Sequence, residues 1–133
     1  SGVYSNESNI LMRLKLGTME LIQKSDHYFS RIHVEDIANI LFNSLSKFKS
    51  GEIYNLADDK PSSSEEMTIH GAKLLNIKNL KKINVNEIES KTLKSFYKDS
   101  KKVNNKKIKK YFSYNLKFPT YEEGLGYIRD NFI

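Results

Sequence analysis

One stretch of the chain, residues 29–41, changes its hydrophobic period in the middle and so constrains the fold more than any other. Its first half alternates as a strand does, with Ile32 on one face and Arg31 and His33 on the other. Its second half repeats apolar residues at three- and four-residue steps, which is typical of one face of a helix. The Asp36 carboxylate can accept from the free amides of a first helical turn. The pattern predicts a short strand that turns directly into an amphipathic helix capped by Asp36.

Short strands and helices alternate along the rest of the chain as well. Helices are predicted from Asn9 to Leu16, after Ser62 to Ser64 and after Thr120, and the serines and Thr120 can each cap a first turn. A basic turn at residues 47–51 should end the central helix. Further strands are predicted at residues 2–4, 19–22, 52–58 and 83–85. The strands at 19–22 and 28–34 could pair as a hairpin, or could flank a cleft separately. This order predicts an α/β fold, mixed α+β when isolated, with few short strands and four to five helices.

Length and composition set the class of protein. The 133 residues favour one domain, residues 1–133, and 38% hydrophobic with 29% charged residues suits a chain with a modest core and a solvated surface. The chain has no cysteine, so it has neither a disulfide framework nor a thiolate ligand. No apolar run reaches the roughly 18 residues of a membrane span, and the first 16 residues lack the pattern of a signal peptide. These features predict a cytoplasmic protein without a membrane partner.

The net charge of +6 is concentrated in one segment. Residues 73–110 hold 13 lysines and three acidic residues, a local charge of +10, which leaves −4 for the remainder. Such a segment can attract nucleic acid through its phosphates. Because it contains no arginine and few interleaved aromatic residues, a solvated surface is the better interpretation, and base recognition is not expected.

Four blocks of residues, in order, resemble one known family. Residues 29–38 resemble the signature (F/Y)-x-x-(I/V)-H-V-x-D-(V/I/L)-A of the extended and atypical short-chain dehydrogenase/reductases, the NAD(P)-dependent epimerase/dehydratase-like proteins. Gly2-Val3-Tyr4 matches the start of a family turn whose Gly-Pro-Gly part is replaced here. Residues 51–58 resemble the strand G-x-(I/V)-Y-N-(I/V/L)-(A/G)-D, and residues 95–125 resemble the end of the family. The resemblance covers essentially the whole chain and implies the C-terminal, substrate-side part of a Rossmann-type fold.

The resemblance also implies chemistry that this chain does not carry. In the family, NAD or NADP binds on a Gly-rich strand–turn–helix, and a Tyr-x-x-x-Lys pair supplies the acid or base. Both precede the region that this sequence resembles, and no such Gly-rich motif occurs here. Tyr97 and Lys101 have the catalytic spacing, but in a lysine-rich stretch such spacing arises by chance. We therefore expect no catalytic residue in this chain, a main cofactor site outside it, and a missing N-terminal half or a separate cofactor-domain chain as its partner.

The predicted substrate-binding residues are Tyr4, Arg31, His33 and Asn55. Arg31 could bind an anionic substrate group, or could pair with Glu35 or Asp36. His33 could face the cleft, or could donate to a backbone carbonyl at the strand–helix junction. Tyr4 could line the cleft or pack in the core, and Asn55, with Asp58, lies where open α/β sheets place ligands but could serve a turn.

Two details of the sequence bear on the class of substrate and on metal binding. In nucleotide-sugar members of the family, an arginine that binds the diphosphate occupies the position of Phe29. Its replacement here argues against a nucleotide-sugar substrate. The histidines have no ligand spacing, so no metal is expected.

Two functions of different class follow. The first is the substrate-binding portion of an NAD(P)-dependent oxidoreductase or epimerase, not catalytic alone, which acts on a small-molecule substrate. The alternative is a free-standing binding module that uses the lysine-rich surface for an anionic partner. Under the first hypothesis, strands meant for a larger sheet would leave an apolar edge and favour a homo-oligomer.

Overall fold

Short parallel strands and six α-helices make up the described part of the chain. A computed structural model describes residues 1–47 and 49–133. The strands are β1 Gly2–Tyr4, β2 Leu21–Gln23, β3 Arg31–His33 and β4 Lys82–Asn84. The helices are α1 Ile10–Lys15, α2 Val34–Ser44, α3 Ser64–Leu74, α4 Lys91–Phe96, α5 Lys106–Phe112 and α6 Tyr121–Phe132, with a 3₁₀ turn at Val85–Glu87. The mixed α/β class is confirmed, with one helix more than the predicted four to five.

The strands form two separate parallel pairs. β1 pairs with β3, with Tyr4 opposite His33, and β2 pairs with β4, with Ile22 opposite Ile83. Of the two arrangements left open for the strands at residues 19–22 and 28–34, the hairpin is therefore wrong. Parallel pairing needs long connections rather than a tight turn, and the helices α1 and α3 lie within those connections.

The junction of β3 and α2 is as direct as the sequence predicts, but its cap is a different residue. The helix begins at Val34, and His33 is the N-cap, whose Nδ1 accepts from the Glu35 amide at 3.2 Å. Asp36 lies inside the first turn and is fully buried. Its carboxylate accepts from Tyr114 Oη and from the amides of Lys117 and Phe118 at 2.7, 2.7 and 3.0 Å. The predicted capping role of Asp36 is wrong, because these distant donors hold the carboxylate instead.

The other predicted caps are confirmed. Ser63 and Glu66 form a capping box at α3, and Thr120 and Glu123 form one at α6. Asn9 also caps α1 through its side chain, a cap that the sequence analysis did not predict. These signals are local, so the sequence alone is enough to place them.

One predicted strand does not form. Residues 52–58 are not a β-strand, and no backbone–backbone hydrogen bond joins residues 52–57 to another described residue. The alternation of the sequence is that of a strand, but only the end of the segment reaches one: the Asp58 amide donates to the Arg31 carbonyl of β3 at 2.7 Å. Gly51 has the positive φ of +79° expected at a stop, while Phe48, in the same predicted turn, lies outside the described residues.

Three apolar clusters form the core. The largest joins α1, α3 and α6 around residues such as Leu11, Met67 and Leu125. A second surrounds β2 and β4, and a third packs Ile32 and Ile40 against Ile108 of α5. The β1–β3 pair contributes to two of these clusters, through Tyr4 in the first and Ile32 in the third.

Candidate substrate site

Two predicted site residues meet at the carboxyl ends of the β1–β3 pair. Tyr4 and His33 are opposite each other in the parallel register, and their rings make an edge contact with centroids 5.0 Å apart. Both side chains are buried, and the Tyr4 hydroxyl finds no hydrogen-bond partner among the described residues. Burial and the charge of Asp58 raise the pKa of the Tyr4 phenol, so it stays protonated.

His33 is fixed between aromatic rings. Its other face packs against Phe118 at a centroid distance of 4.3 Å. Because Nδ1 accepts the Glu35 amide, the neutral ring carries its proton on Nε2, which is buried and finds no partner among the described residues. Burial lowers the His33 pKa. The expected donation from His33 to a backbone carbonyl is not what the structure shows: the ring accepts a backbone amide instead.

Arg31 is a buried cation with neutral acceptors. Its Nη1 donates to the carbonyls of Phe29 and Ser62 and to the Ser62 hydroxyl, the last at 2.7 Å, and Nη2 reaches the Ser63 carbonyl. The expected pairing of Arg31 with Glu35 or Asp36 is wrong, since Glu35 pairs with Lys117. Burial lowers the pKa of the guanidinium, but it remains charged at neutral pH.

Arg31 and Tyr4 line an open cavity of about 480 Å³ on this side of the molecule. Arg13 adds a second cation and Glu7 an anion, while the floor includes the apolar side chains of Ile10 and Met67. The sequence analysis missed Arg13, which lies on the short helix α1 without a recognisable motif. A cavity of this size with two guanidinium groups can hold a small anionic molecule.

Asn55 is not brought to this cavity. It is exposed, in the segment that does not form the predicted strand, and it does not line the cavity shared by Tyr4 and Arg31. Asp58, three residues later, is fully buried. Its Oδ1 accepts from the Lys60 amide, as expected for a turn, while Oδ2 finds no partner among the described residues. Burial raises the pKa of Asp58 to about 7, against the opposing effects of the Lys60 amide and the Arg31 charge.

The Tyr97–Lys101 spacing does not create a catalytic pair. Tyr97 is buried in the second core cluster and packs against His27 and Phe29. Lys101 is exposed and lies 3.8 Å from Asp99. The phenol therefore has a packing role and the ammonium faces solvent.

The N-termini of the three longest described helices do not fit the pyrophosphate of a dinucleotide. That group needs helix N-termini with free amides and no competing negative charge. The three helices longer than ten residues each carry two acidic residues in the first turn: Glu35 and Asp36, Glu65 and Glu66, and Glu122 and Glu123. Since β3 runs into α2 without a loop, that junction also lacks room for a phosphate-binding turn.

Metal and membrane features can be stated for residues 1–47 and 49–133. In these residues no group of three or more His, Cys, Asp or Glu side chains is placed to hold a metal ion. None of the helices described there is long and apolar enough to cross a membrane.

The lysine-rich segment is partly used inside the molecule. Lys81 pairs with Glu20, Lys107 with Glu52, and Lys109 with Asp59, at 2.7, 2.6 and 2.9 Å. Lys102 lies 3.9 Å from the centre of the Tyr28 ring. These acidic partners lie outside residues 73–110, so the ion pairs offset part of the positive charge of the segment.

Comparison with known proteins identifies the fold to which this arrangement of strands and helices belongs. Neither a protein-family model nor a curated protein sequence matches the chain. A conserved protein of unknown function from Silicibacter pomeroyi matches 98% of the chain with 30% identity and a TM-score of 0.93. The NAD complex of dTDP-glucose 4,6-dehydratase from Bacillus anthracis matches 98% with 18% identity and a TM-score of 0.72. The human epimerase family protein SDR39U1, with NADPH, matches 97% with 20% identity and a TM-score of 0.73.

These matches confirm the resemblance and the fold expected from the motifs. The chain has the fold of part of the Rossmann-type, NAD(P)-dependent epimerase/dehydratase structures. It spans 47%, 41% and 48% of the three matched chains, which is less than half of each. Two of the matched structures contain a nicotinamide dinucleotide, NAD in one and NADPH in the other.

Proposed function

We propose that the chain is the substrate-side portion of an NAD(P)-dependent oxidoreductase or epimerase-type protein and is not catalytic alone. Residues 1–133 form one domain of it, and the main cofactor site lies in a different portion. One observation carries the proposal: the cavity beside β1 and β3, lined by Tyr4 and Arg31, lies in a chain that has part of the fold of NAD- and NADPH-bound structures.

In this proposal each site residue has a distinct role. Arg31, held by neutral acceptors, keeps its charge available to an anionic substrate group at the cavity. Tyr4 forms part of the cavity wall, with its protonated hydroxyl buried against Gly124, and His33 fixes the orientation of the Tyr4 ring. Asn55, exposed and apart from the cavity, contributes to substrate binding only if further chain brings it to the cleft. The cofactor would supply hydride transfer, and this chain would bind and orient the substrate.

Support for a cofactor site elsewhere comes from the helix N-termini. Their acidic first turns repel a pyrophosphate, whereas a nicotinamide enzyme must bind one. The proposal therefore assigns NAD or NADP to the portion of the protein that pairs with this one.

A comparison of the isolated chain with the native protein from its source cells tests the proposal. Each protein is titrated with NADH and with NADPH, and the nicotinamide fluorescence is recorded. The fluorescence should report binding to the native species and none to the purified 133-residue chain. Turnover of a carbonyl or sugar substrate by the isolated chain would show that it is an enzyme by itself. A native species that binds neither cofactor would refute the oxidoreductase assignment.

The second candidate function is the free-standing binding module. It requires that lysines of residues 73–110 be available to an anionic partner, and several of them are paired within the molecule. We therefore propose substrate binding within an oxidoreductase as the function. Nucleic-acid binding by the lysine-rich segment is the alternative that a binding measurement can test.

A further inference from the structure

The cavity beside β1 and β3 is lined by charges of both signs. Arg13 of α1 and Arg31 of β3 supply two cations, and Glu7, in the turn before α1, supplies an anion. None of these three side chains forms an ion pair with a described residue, whereas carboxylates elsewhere, such as those of Glu35 and Glu122, pair with lysines. Opposite charges that line one cavity without meeting leave room for a molecule between them.

The turn that carries Glu7 is tied to helix α1 by one side chain. Asn9 donates through Nδ2 to the carbonyls of Ser5 and Asn6, both at 3.0 Å. Its Oδ1 accepts from the Met12 amide at 3.1 Å, which caps the helix. The fold therefore fixes the backbone of the anionic residue relative to that of the arginine on α1.

The guanidinium of Arg31 is held in place without being neutralised. Its two terminal nitrogens donate to the carbonyls of Phe29, Ser62 and Ser63 and to the Ser62 hydroxyl. Its Nε makes no hydrogen bond to a described residue. Because all the acceptors are neutral, they orient the guanidinium and leave its charge available to a carboxylate at the cavity.

Apolar side chains form the rest of the cavity wall. Ile10 and Met67 lie in the floor and belong to the first core cluster. Val3, Met12 and Leu16 also line the cavity, and they are exposed by 57%, 41% and 74%. A ligand with an aliphatic part would remove this apolar surface from water, which is favourable.

Neutral polar groups are scarce in the lining. The Tyr4 hydroxyl is buried against Gly124, and the side chain of Asn9 is used within its own turn. Only Ser8 then offers a neutral polar side chain among the lining residues, which is too few for the many hydroxyls of a sugar. A phosphate ester or a dicarboxylate would bring a second negative charge towards Glu7, and like charges placed together oppose binding.

We infer that the substrate of this cavity is an amino acid, a small zwitterion whose carboxylate binds Arg13 and Arg31 and whose ammonium group faces Glu7. Its aliphatic part covers the apolar wall. The inference rests on the proposed function, since it names the substrate class of the same cavity. It adds that the substrate carries a positive group as well as an anionic one.

Calorimetric titration of the native protein from its source cells tests the substrate class at pH 7. L-leucine is compared with 4-methylpentanoate, which lacks the ammonium group, and with 3-methylbutylamine, which lacks the carboxylate. 6-Aminohexanoate is compared in the same way with hexanoate and hexylamine, so that the two series distinguish adjacent charges from separated ones. In at least one series the zwitterion should bind about ten-fold or more tightly than either analogue, as expected for one charge-assisted hydrogen bond.

Two variants of the native protein separate the roles of the charges. Glu7→Gln should weaken the preferred zwitterion by about ten-fold and leave the matching carboxylate analogue unchanged or tighter. Arg13→Gln should weaken the zwitterion and the carboxylate analogue alike. Glu89→Gln and Arg129→Gln, at exposed positions that do not line the cavity, are the matched controls and should change neither affinity. All four side chains are exposed, so the variants should fold.

Equal affinity of the zwitterions and their single-charge analogues would overturn the inference. A Glu7→Gln variant that keeps the full preference for the zwitterion would also overturn it.

The proposed function and the substrate class fail separately. If the native protein binds NADH or NADPH but does not prefer a zwitterion, the function stands and the substrate class is wrong. If it prefers a zwitterion and binds neither cofactor, the amino-acid site stands and the oxidoreductase assignment is wrong.

Discussion

At the residue scale, Asp58 is the group whose protonation most directly affects folding. It is buried, and only one of its carboxylate oxygens has a described partner. Its pKa is raised from 3.8 to about 7, so the native state holds its proton more tightly than the unfolded chain does. The stability from this proton is fully present below pH 3.8 and is lost as the pH rises through about 7.

Asp58→Asn should therefore stabilise the protein relative to wild type, increasingly from pH 4 to pH 8. The side-chain carboxamide of the variant keeps an oxygen that can accept from the Lys60 backbone amide, and it carries no charge. The rise of the Asp58 pKa from 3.8 to about 7 corresponds to at most about 4 kcal/mol of unfolding free energy. Urea unfolding at a series of pH values measures the difference. Asp99→Asn, the same charge change at an exposed position, is the control. A pH-independent difference between Asp58→Asn and wild type would contradict the burial of an ionisable carboxyl.

Gly124 shows how tightly α6 packs against the site. A Cβ at this position would overlap the Tyr4 hydroxyl and lie 2.8 Å from Cε2 and Cζ of the ring. Gly124→Ala should lower the free energy of unfolding by about 1–3 kcal/mol through overpacking. Gly126→Ala, two residues on in the same helix and in open space, should raise it by up to about 1 kcal/mol.

Tyr4→Phe should relieve part of the Gly124→Ala defect, because it removes the overlapping hydroxyl, which has no described partner, while the ring carbons stay close to the added Cβ. Thermal or urea unfolding of the two single variants and the double variant gives the coupling energy. If the double variant is as unstable as the sum of its parts, the contact between Tyr4 and α6 is not as described.

At the element scale, Asp36 joins the first turn of α2 to the irregular segment before α6. Asp36→Ala leaves the amides of Lys117 and Phe118 without their acceptor and should cost about 2–4 kcal/mol. Glu35→Gln, the neighbouring carboxylate with a surface partner in Lys117, should cost less than about 1 kcal/mol. Urea unfolding distinguishes the two, and equal losses would contradict the buried role of Asp36.

Elements with local signals could be predicted from the sequence. The direct passage from β3 into α2 follows from the change of period, and the capping boxes at Ser63 and Thr120 need only residues three positions apart. Asp36 shows the limit of this reasoning. Its carboxylate looks like a cap, but its partners lie 81 and 82 residues away, and a local pattern carries no information about them.

Strand pairing could not be predicted for a similar reason. The alternation at residues 19–22 identifies a strand, but its partner is β4 rather than its sequence neighbour. Residues 52–58 have the pattern of a strand, but among their backbone groups only the Asp58 amide bonds to a described strand, at the Arg31 carbonyl of β3.

The candidate site was predictable in part. Tyr4, Arg31 and His33 lie on the motif-bearing strands β1 and β3. Arg13 became visible only when the fold placed α1 beside them.

At the scale of the whole molecule, the charge of the lysine-rich segment is the feature that could support the alternative function. We expect a labelled 20-mer oligonucleotide to bind only at low ionic strength, with a dissociation constant weaker than about 10 µM at ~150 mM salt, as for non-specific phosphate contacts. Fluorescence anisotropy over a salt series measures this. Binding tighter than about 1 µM at ~150 mM salt would favour the free-standing binding module.

The mass and composition of the native species test the central claim most directly. Immunoprecipitation with an antibody to the C-terminal helix α6, followed by intact mass spectrometry under native conditions, reports what this chain is joined to in its source cells. The account predicts either a polypeptide of about twice 15.5 kDa with a Gly-rich nucleotide-binding half, or a stable complex with a separate chain of that kind. A species of 15.5 kDa alone would contradict it.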